Sequence, residues 1–330
     1  MKRFLVILLP LVFFAGSPLA WGQGETDEKA SRPGSEDSQA GESVGETDNQ
    51  SPVDPARFGK TLDKAFGAYQ RGHYLTALEH ARPRAEAGDP AAQALIAEIY
   101  ARGLGVPRSA EKAAEWYAKA AEQGVPEAQM QYALILADGE LVERDRDKAF
   151  SLMRSAARAG ETMAQFNLAQ MLLESGAEDE AVEWYERAAE AGLADAQYSL
   201  AQISVHGAGN RKPDEAEARR WLLRAARQNY DTAQLDLGTW LVEGRGGDAD
   251  PEQGFAWLKR AAEGGNVAAQ NRLAKLYRAG IGTEPDAILA AAWYMLARRA
   301  GLEDFLMEDF LHGLTEEQLE QAATRADSLR

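Results

Sequence analysis

The chain is 330 residues long, 45% hydrophobic, and carries a formal charge of −16 with no cysteine. Its length and apolar content allow a substantial core, while the missing cysteine excludes disulfides, thiolate metal sites, a cysteine nucleophile and a lipoprotein anchor. So acidic a surface repels the phosphates of nucleic acid and anionic lipid headgroups, and neither is expected as a partner.

Residues 1–22 read as a secretory signal. Lys2 and Arg3 form the positive start, Phe4 to Ala15 the apolar run, and Ala20-Trp21-Gly22 a small-x-small cleavage site. The run is shorter than the roughly 20 residues of an ordinary membrane span, and Pro10 interrupts it. The expectation is therefore a cleaved signal and a soluble periplasmic protein that does not insert in the membrane; an inner-membrane anchor is the alternative. Residues 23–54 are rich in Gly, Ser, Glu, Asp and Gln with almost no large apolar side chain. They are expected to form a disordered acidic linker, since they cannot bury enough surface to offset the entropy of ordering.

From about Ala56 onward the sequence repeats itself. Ala-Gln recurs at Gln93, Gln129, Gln165, Gln197, Gln234 and Gln270, spaced by 36, 36, 32, 37 and 36 residues. A large apolar residue follows each at Trp116, Leu152, Trp184, Trp221, Trp257 or Trp293, with alanine four residues later and Gly or Asn eight later. After Ala92, small or apolar residues at Ile96, Ala97, Ile99 and Tyr100 mark one helix face. A glycine (Gly103, Gly139, Gly207, Gly244, Gly280) ends that helix, and Gly or Asn229 ends the second, as left-handed closure requires. Pro90 and Pro126 suit first-turn positions. Residues 55–88 form a divergent N-terminal capping unit, residues 89–301 six regular units, and residues 302–330 a C-terminal helical cap. In the cap, Phe305, Leu306, Phe310 and Leu311 are expected to cover the last unit, and Thr315 with Gln318 to form a capping box. The five tryptophans at the equivalent position are expected to be buried. One unit, residues 161–192, has lost four residues between its helices.

The segments Gly103-Leu-Gly-Val-Pro107, Lys112-Ala-Ala-Glu-Trp-Tyr-Ala-Lys-Ala-Ala-Glu-Gln-Gly124 and Ala164-Gln-Phe-Asn-Leu-Ala169 resemble the Sel1-like repeat. This family is similar to tetratricopeptide repeats but has a longer connection between its two helices. The resemblance implies an all-α, right-handed solenoid of helix pairs that binds other proteins.

Little in the sequence points to chemistry, and no catalytic residue, cofactor or metal is expected. His73 and His80 would lie about 10.5 Å apart along one helix, too far to share a metal ion. Gly103-x-Gly105 and Gly244-Arg-Gly-Gly247 follow helices and recur with the repeat, so they read as connectors and not as phosphate loops. Glu178, Asp179 and Glu180 read as a solvated first turn, favoured by the helix dipole. Arg220, Arg224 and Arg227 read as a solvated helix face, with Glu215 and Arg219 as an i,i+4 pair; a docking site for an acidic partner is the other reading.

In tetratricopeptide-like solenoids the first helix of each pair lines a concave groove. Transferring that geometry places Met130, Leu134, Phe166, Gln170, Leu173, Tyr198, Gln202, His206, Leu235 and Thr239 on or near it. Phe166, Gln170, Tyr198, Gln202, His206, Leu235 and Thr239 are the partner-binding candidates, with packing as the competing role for Phe166 and Tyr198. The resemblance implies a protein-binding scaffold or regulator working on cell-envelope or sensor proteins, with no catalysis. A cell-wall-related hydrolase or β-lactam-binding protein is the alternative it leaves open; exported relatives of that kind are cysteine-rich, and this chain is not.

Overall fold

The computed structural model describes residues 63–329. The expected signal, the linker and the first residues of the divergent unit lie outside them. Seven helix pairs follow one another: α1 (Lys64–Gln70) with α2 (Tyr74–Glu86), α3 (Pro90–Arg102) with α4 (Ala110–Glu122), α5 (Pro126–Asp138) with α6 (Arg146–Arg158), and α7 (Thr162–Glu174) with α8 (Glu178–Glu190). Then come α9 (Ala194–His206) with α10 (Glu215–Arg227), α11 (Asp231–Glu243) with α12 (Pro251–Glu263), and α13 (Val267–Ala279) with α14 (Ala287–Arg299). The helices α15 (Phe305–His312) and α16 (Glu316–Ser328) close the far end, and the described residues form no strand. Within the pairs each helix packs on the one before and the one after it, which makes an α-solenoid.

Alanine sets the spacing. Ala128, Ala164, Ala196, Ala233 and Ala269 on the first helices are fully buried, as are Ala120, Ala156, Ala188, Ala225, Ala261 and Ala297 on the second. Small side chains at the crossings let the backbones approach while larger neighbours fill the seam. The approach is tightest between α11 and α12. There a side-chain carbon at Gly238 would meet Leu258 at 2.7 Å and the Gly254 carbonyl at 2.9 Å.

The recurrent glutamine bridges neighbouring units. The side-chain amides of Gln93, Gln129, Gln165, Gln197, Gln234 and Gln270 donate to the carbonyls of Ala85, Ala121, Ala157, Ala189, Ala226 and Ala262. Each acceptor lies eight residues upstream, in the last turn of the preceding helix. The same carbonyl also accepts the backbone N–H of the left-handed residue that ends that helix, for example Gly124 on Ala121 and Asn229 on Ala226. Asn229 is the one non-glycine residue with positive φ, at 63°, among the described residues. Its amide side chain tolerates that conformation where most residues would not.

The connectors add a second joint. After the glycine that ends α3, α9, α11 and α13, a further glycine (Gly105, Gly209, Gly246 or Gly282) lies against the first turn of the preceding unit's second helix. A side-chain carbon at Gly246 would collide with the Glu215 carbonyl, and one at Gly282 with that of Pro251. The α5–α6 connection and the short α7–α8 connection have no such glycine. A cleft of about 640 Å³ stands open at the first turn of α6, and one of about 710 Å³ at α14, where the array ends.

The core differs from expectation in two places. Of the five aligned tryptophans, Trp184 and Trp293 are buried, but Trp116, Trp221 and Trp257 are only half-buried. The fully enclosed position is the next one along: Tyr117, Met153, Tyr185, Leu222, Leu258 and Tyr294. One residue is a rotation of about 100° on a helix, so the tryptophan sits at the seam's edge. Cations three residues on cover four of the rings: Lys119, Arg187, Arg224 and Arg260. In the cap, Met307 and Leu311 seal the end, whereas Phe305 is 84% and Leu306 59% exposed. Asp304 caps α15 and fixes its rotation, accepting from the amides of Leu306 and Met307 and from Asn271 and Lys275 of α13. The capping box of Thr315 and Gln318 is present.

Trp293→Ala is expected to cost about 3–5 kcal/mol and Trp257→Ala about half as much, because the second ring is only partly enclosed. Equilibrium urea unfolding of the two variants checks the order.

Candidate interaction surface

The candidate residues fall on successive first helices, α7, α9 and α11, at positions five, nine and thirteen of the helix. That spacing keeps them on one stripe, but the stripe is not evenly open. Phe166 is 1% exposed and packs edge-on against Tyr185 with ring centroids 5.6 Å apart. Thr239 is buried, and its hydroxyl donates to the Leu235 carbonyl at 2.8 Å. These two belong to the interior and drop out of any surface a partner could touch. Met130 and Leu134 are buried for the same reason: they fill the seam beside the alanines.

The remainder stay accessible. Tyr198, Gln202 and Leu235 are half-buried and His206 is exposed. Gln170 is half-buried, with an Oε1 that has no hydrogen-bond partner. Tyr198 stacks on Tyr230 with ring centroids 5.2 Å apart, and its hydroxyl donates to Asp236 of α11 at 3.0 Å. The structure thus joins α9 and α11 through a pair that sequence spacing did not single out, since Tyr198 and Asp236 are 38 residues apart.

Electrostatics follow from this packing. Burial pushes the Tyr198 hydroxyl well above its ordinary pKa, and the Asp236 carboxylate and the hydrogen bond to it add to the rise. Burial also raises the Asp236 carboxyl, against the opposing pull of the Tyr198 hydrogen bond and of Arg272 and Arg245. Asp195, on the first turn of α9, is raised by burial as well. Two buried-side carboxyls and two tyrosines give this stretch a polar lining with apolar ring faces, suited to hydrogen bonding and stacking. No group of three or more His, Asp or Glu side chains among the described residues is arranged to hold a metal ion.

Two charged features differ from the solvated roles expected of them. The acidic first turn of α8 is engaged: Glu178 accepts the Gly209 amide at 2.6 Å, Asp179 accepts from Asn210, and Glu180 holds Arg154 at 2.8 Å. Glu215 pairs with Arg245 of the next unit at 2.7 Å, not with Arg219, which donates to the carbonyls of Arg245 and Asp248. Both sets tie the first turn of a second helix to the following connector, and Glu180 also ties α8 back to α6.

Six consecutive segments of the chain match the Sel1 repeat model: residues 90–125, 126–161, 162–193, 194–230, 232–266 and 267–302. The chain belongs to the Sel1 repeat family. Sel1 repeats generally mediate protein–protein interaction. Among solved structures, this Sel1 repeat protein is similar to a protective antigen of uropathogenic Escherichia coli that displays an SLR fold. The two share 28% identity with a TM-score of 0.68 over 80% of this chain and 60% of the antigen. It is equally similar in sequence, 28%, to a Sel1 repeat protein from Oxalobacter formigenes, with a TM-score of 0.62 over 74% of this chain and all of that one. A stretch of 91 residues is 35% identical to chitin synthase regulatory factor 3 of Schizosaccharomyces pombe, covering 26% of this chain and 10% of that protein. The Sel1 chain thus spans a tenth of the curated relative it matches and about 60% of the antigen. Among the described residues, no helix is long and apolar enough to cross a membrane.

The raised Asp236 carboxyl gives a test of the α9–α11 joint in this Sel1 array. A carboxyl whose folded pKa lies above its unfolded value, about 3.9, contributes fully below that value. The contribution is lost as pH rises through the folded pKa. Asp236→Asn keeps an acceptor for Tyr198 but removes the buried charge. It is expected to raise the melting temperature at pH 7, with the gain vanishing as pH falls towards about 3; thermal melts across that range check it.

Proposed function

We propose that this Sel1 repeat protein is a periplasmic scaffold or regulator that holds a protein partner against its first-helix layer and performs no catalysis of its own. The carrying observation is the open stripe of Gln170, Tyr198, Gln202, Leu235 and His206, which crosses three successive units on a rigid, alanine-packed base. Ring faces beside side-chain amides provide apolar anchoring and directional hydrogen bonds together, the mixture that peptide-binding grooves use. The periplasmic placement rests on the signal-like residues 1–22. The regulatory sense draws on the name of the fission-yeast relative, a regulatory factor for a synthase.

Crosslinking in the periplasm followed by affinity capture identifies the partner. The variant Gln170→Ala/Gln202→Ala/His206→Ala is then compared with the parent. Capture is expected to fall about tenfold, the scale of removing one hot spot, with helicity and melting temperature unchanged. Undiminished capture by a folded variant overturns the stripe as the binding surface.

A further inference from the structure

The second-helix layer carries a basic patch that the scaffold reading leaves unused. Arg220, Arg224 and Arg227 on α10 are all exposed, on a chain of net charge −16. Seven residues of helix separate the outer two by about 10.5 Å along the axis. Their spacings of four and three residues bring like charges together, which works against the helix. None of the three pairs with a carboxylate among the described residues, whereas nearby arginines do: Arg154 with Glu180, Arg211 with Glu217 and Arg245 with Glu215.

The patch also has an apolar floor. Arg220, Arg224 and Arg227 line a shallow cleft of about 280 Å³ with Trp221, Leu223 and Glu217. Trp221 and Leu223 are half-buried, and the Arg224 guanidinium lies 4.5 Å from the centre of the Trp221 ring. Glu217, the one carboxylate in the cleft, is held by Arg211 at 3.4 Å. The flanking second helices keep a cation only at the position of Arg224, as Arg187 and Arg260. At the positions of Arg220 and Arg227, α8 has Glu183 and Glu190, and α12 has Ala256 and Glu263. An extended polyanion, such as nucleic acid or an anionic membrane, would meet those flanking carboxylates. A ligand that stays within the length of α10 would not.

We propose that α10 is a docking site for a short acidic peptide segment of a partner protein. Its carboxylates pair with Arg220, Arg224 and Arg227, and a large apolar side chain between them seats against Trp221 and Leu223. Guanidinium groups suit this role because they present a fork of donors to a carboxylate while their planar face still stacks on an aromatic ring. The site is separate from the first-helix stripe, and its fate does not depend on that reading.

The test uses an array of immobilised heptapeptides varied evenly in charge and apolar content, and including overlapping peptides from residues 23–54. It is probed with the full chain and with the variants Arg220→Glu/Arg224→Glu/Arg227→Glu and Arg220→Gln/Arg224→Gln/Arg227→Gln. Peptides retained by the parent are expected to be enriched in Asp or Glu around Phe, Trp or Leu. Retention should fall at least about tenfold with either variant, persist with the Gln170/Gln202/His206 variant, and weaken as salt rises. A retained set without that enrichment, or one insensitive to the arginine variants, overturns the proposal. Retention confined to peptides from residues 23–54 also overturns it, because the patch would then serve the chain's own linker.

Discussion

One carbonyl at each unit boundary carries two duties, and the array depends on it. The alanine carbonyl in the last turn of each second helix accepts the N–H of the residue that reverses the chain. It also accepts the side-chain amide of the glutamine that opens the next unit. Carbonyls in a helix's last turn have no intrahelical donor, and burying one unpaired is costly. Here that requirement becomes the joint that sets one helix pair on the next. Two boundaries extend it: Gln123 donates to Gln93, and Gln228 to Gln197. Alanine crossings and connector glycines can only close on units already held in this register.

The repeat was legible because it is written in residue types. Gly or Asn at helix ends, proline at first turns and the Ala-Gln period each have a local physical cause, and the helix pairs follow from them. What the glutamines do was not legible, since their acceptors belong to another helix and are backbone atoms. The tryptophans misled in a related way. They are the most conspicuous apolar residues at their position, yet Tyr117, Tyr185 and Leu222, one step along, point into the seam. Exposure at the cap escaped for the same reason. The rotation of α15, which leaves Phe305 outside and Met307 inside, is fixed by tertiary bonds to Asp304 from Asn271 and Lys275.

The candidate surface was legible as a stripe and not as a set of open side chains. Equivalent positions on α7, α9 and α11 do align, but Phe166 and Thr239 turn inward while Tyr198 and Gln202 stay reachable. Small differences in local packing decide this, and a helical period cannot register them. The acidic first turn of α8 was hidden too, because Gly209 and Asn210, which it holds, are 31 residues away. A solenoid built this way offers two distinct faces. The first-helix layer is polar and aromatic across several units, and on the second-helix layer the arginine run of α10 is flanked by Glu183 and Glu190 of α8 and by Glu263 of α12.

The most direct test of the shared-carbonyl joint is native-state hydrogen exchange on Gln197→Leu, which keeps the side chain's bulk but removes its donor. The loss of one buried hydrogen bond, together with the orphaned Gln228 amide, is expected to cost about 1–3 kcal/mol. Protection should fall together in α7–α8 and α9–α10, on both sides of the boundary, while α1–α2 and α13–α16 keep theirs. Protection lost only in the first turn of α9, or unchanged throughout, would contradict the account.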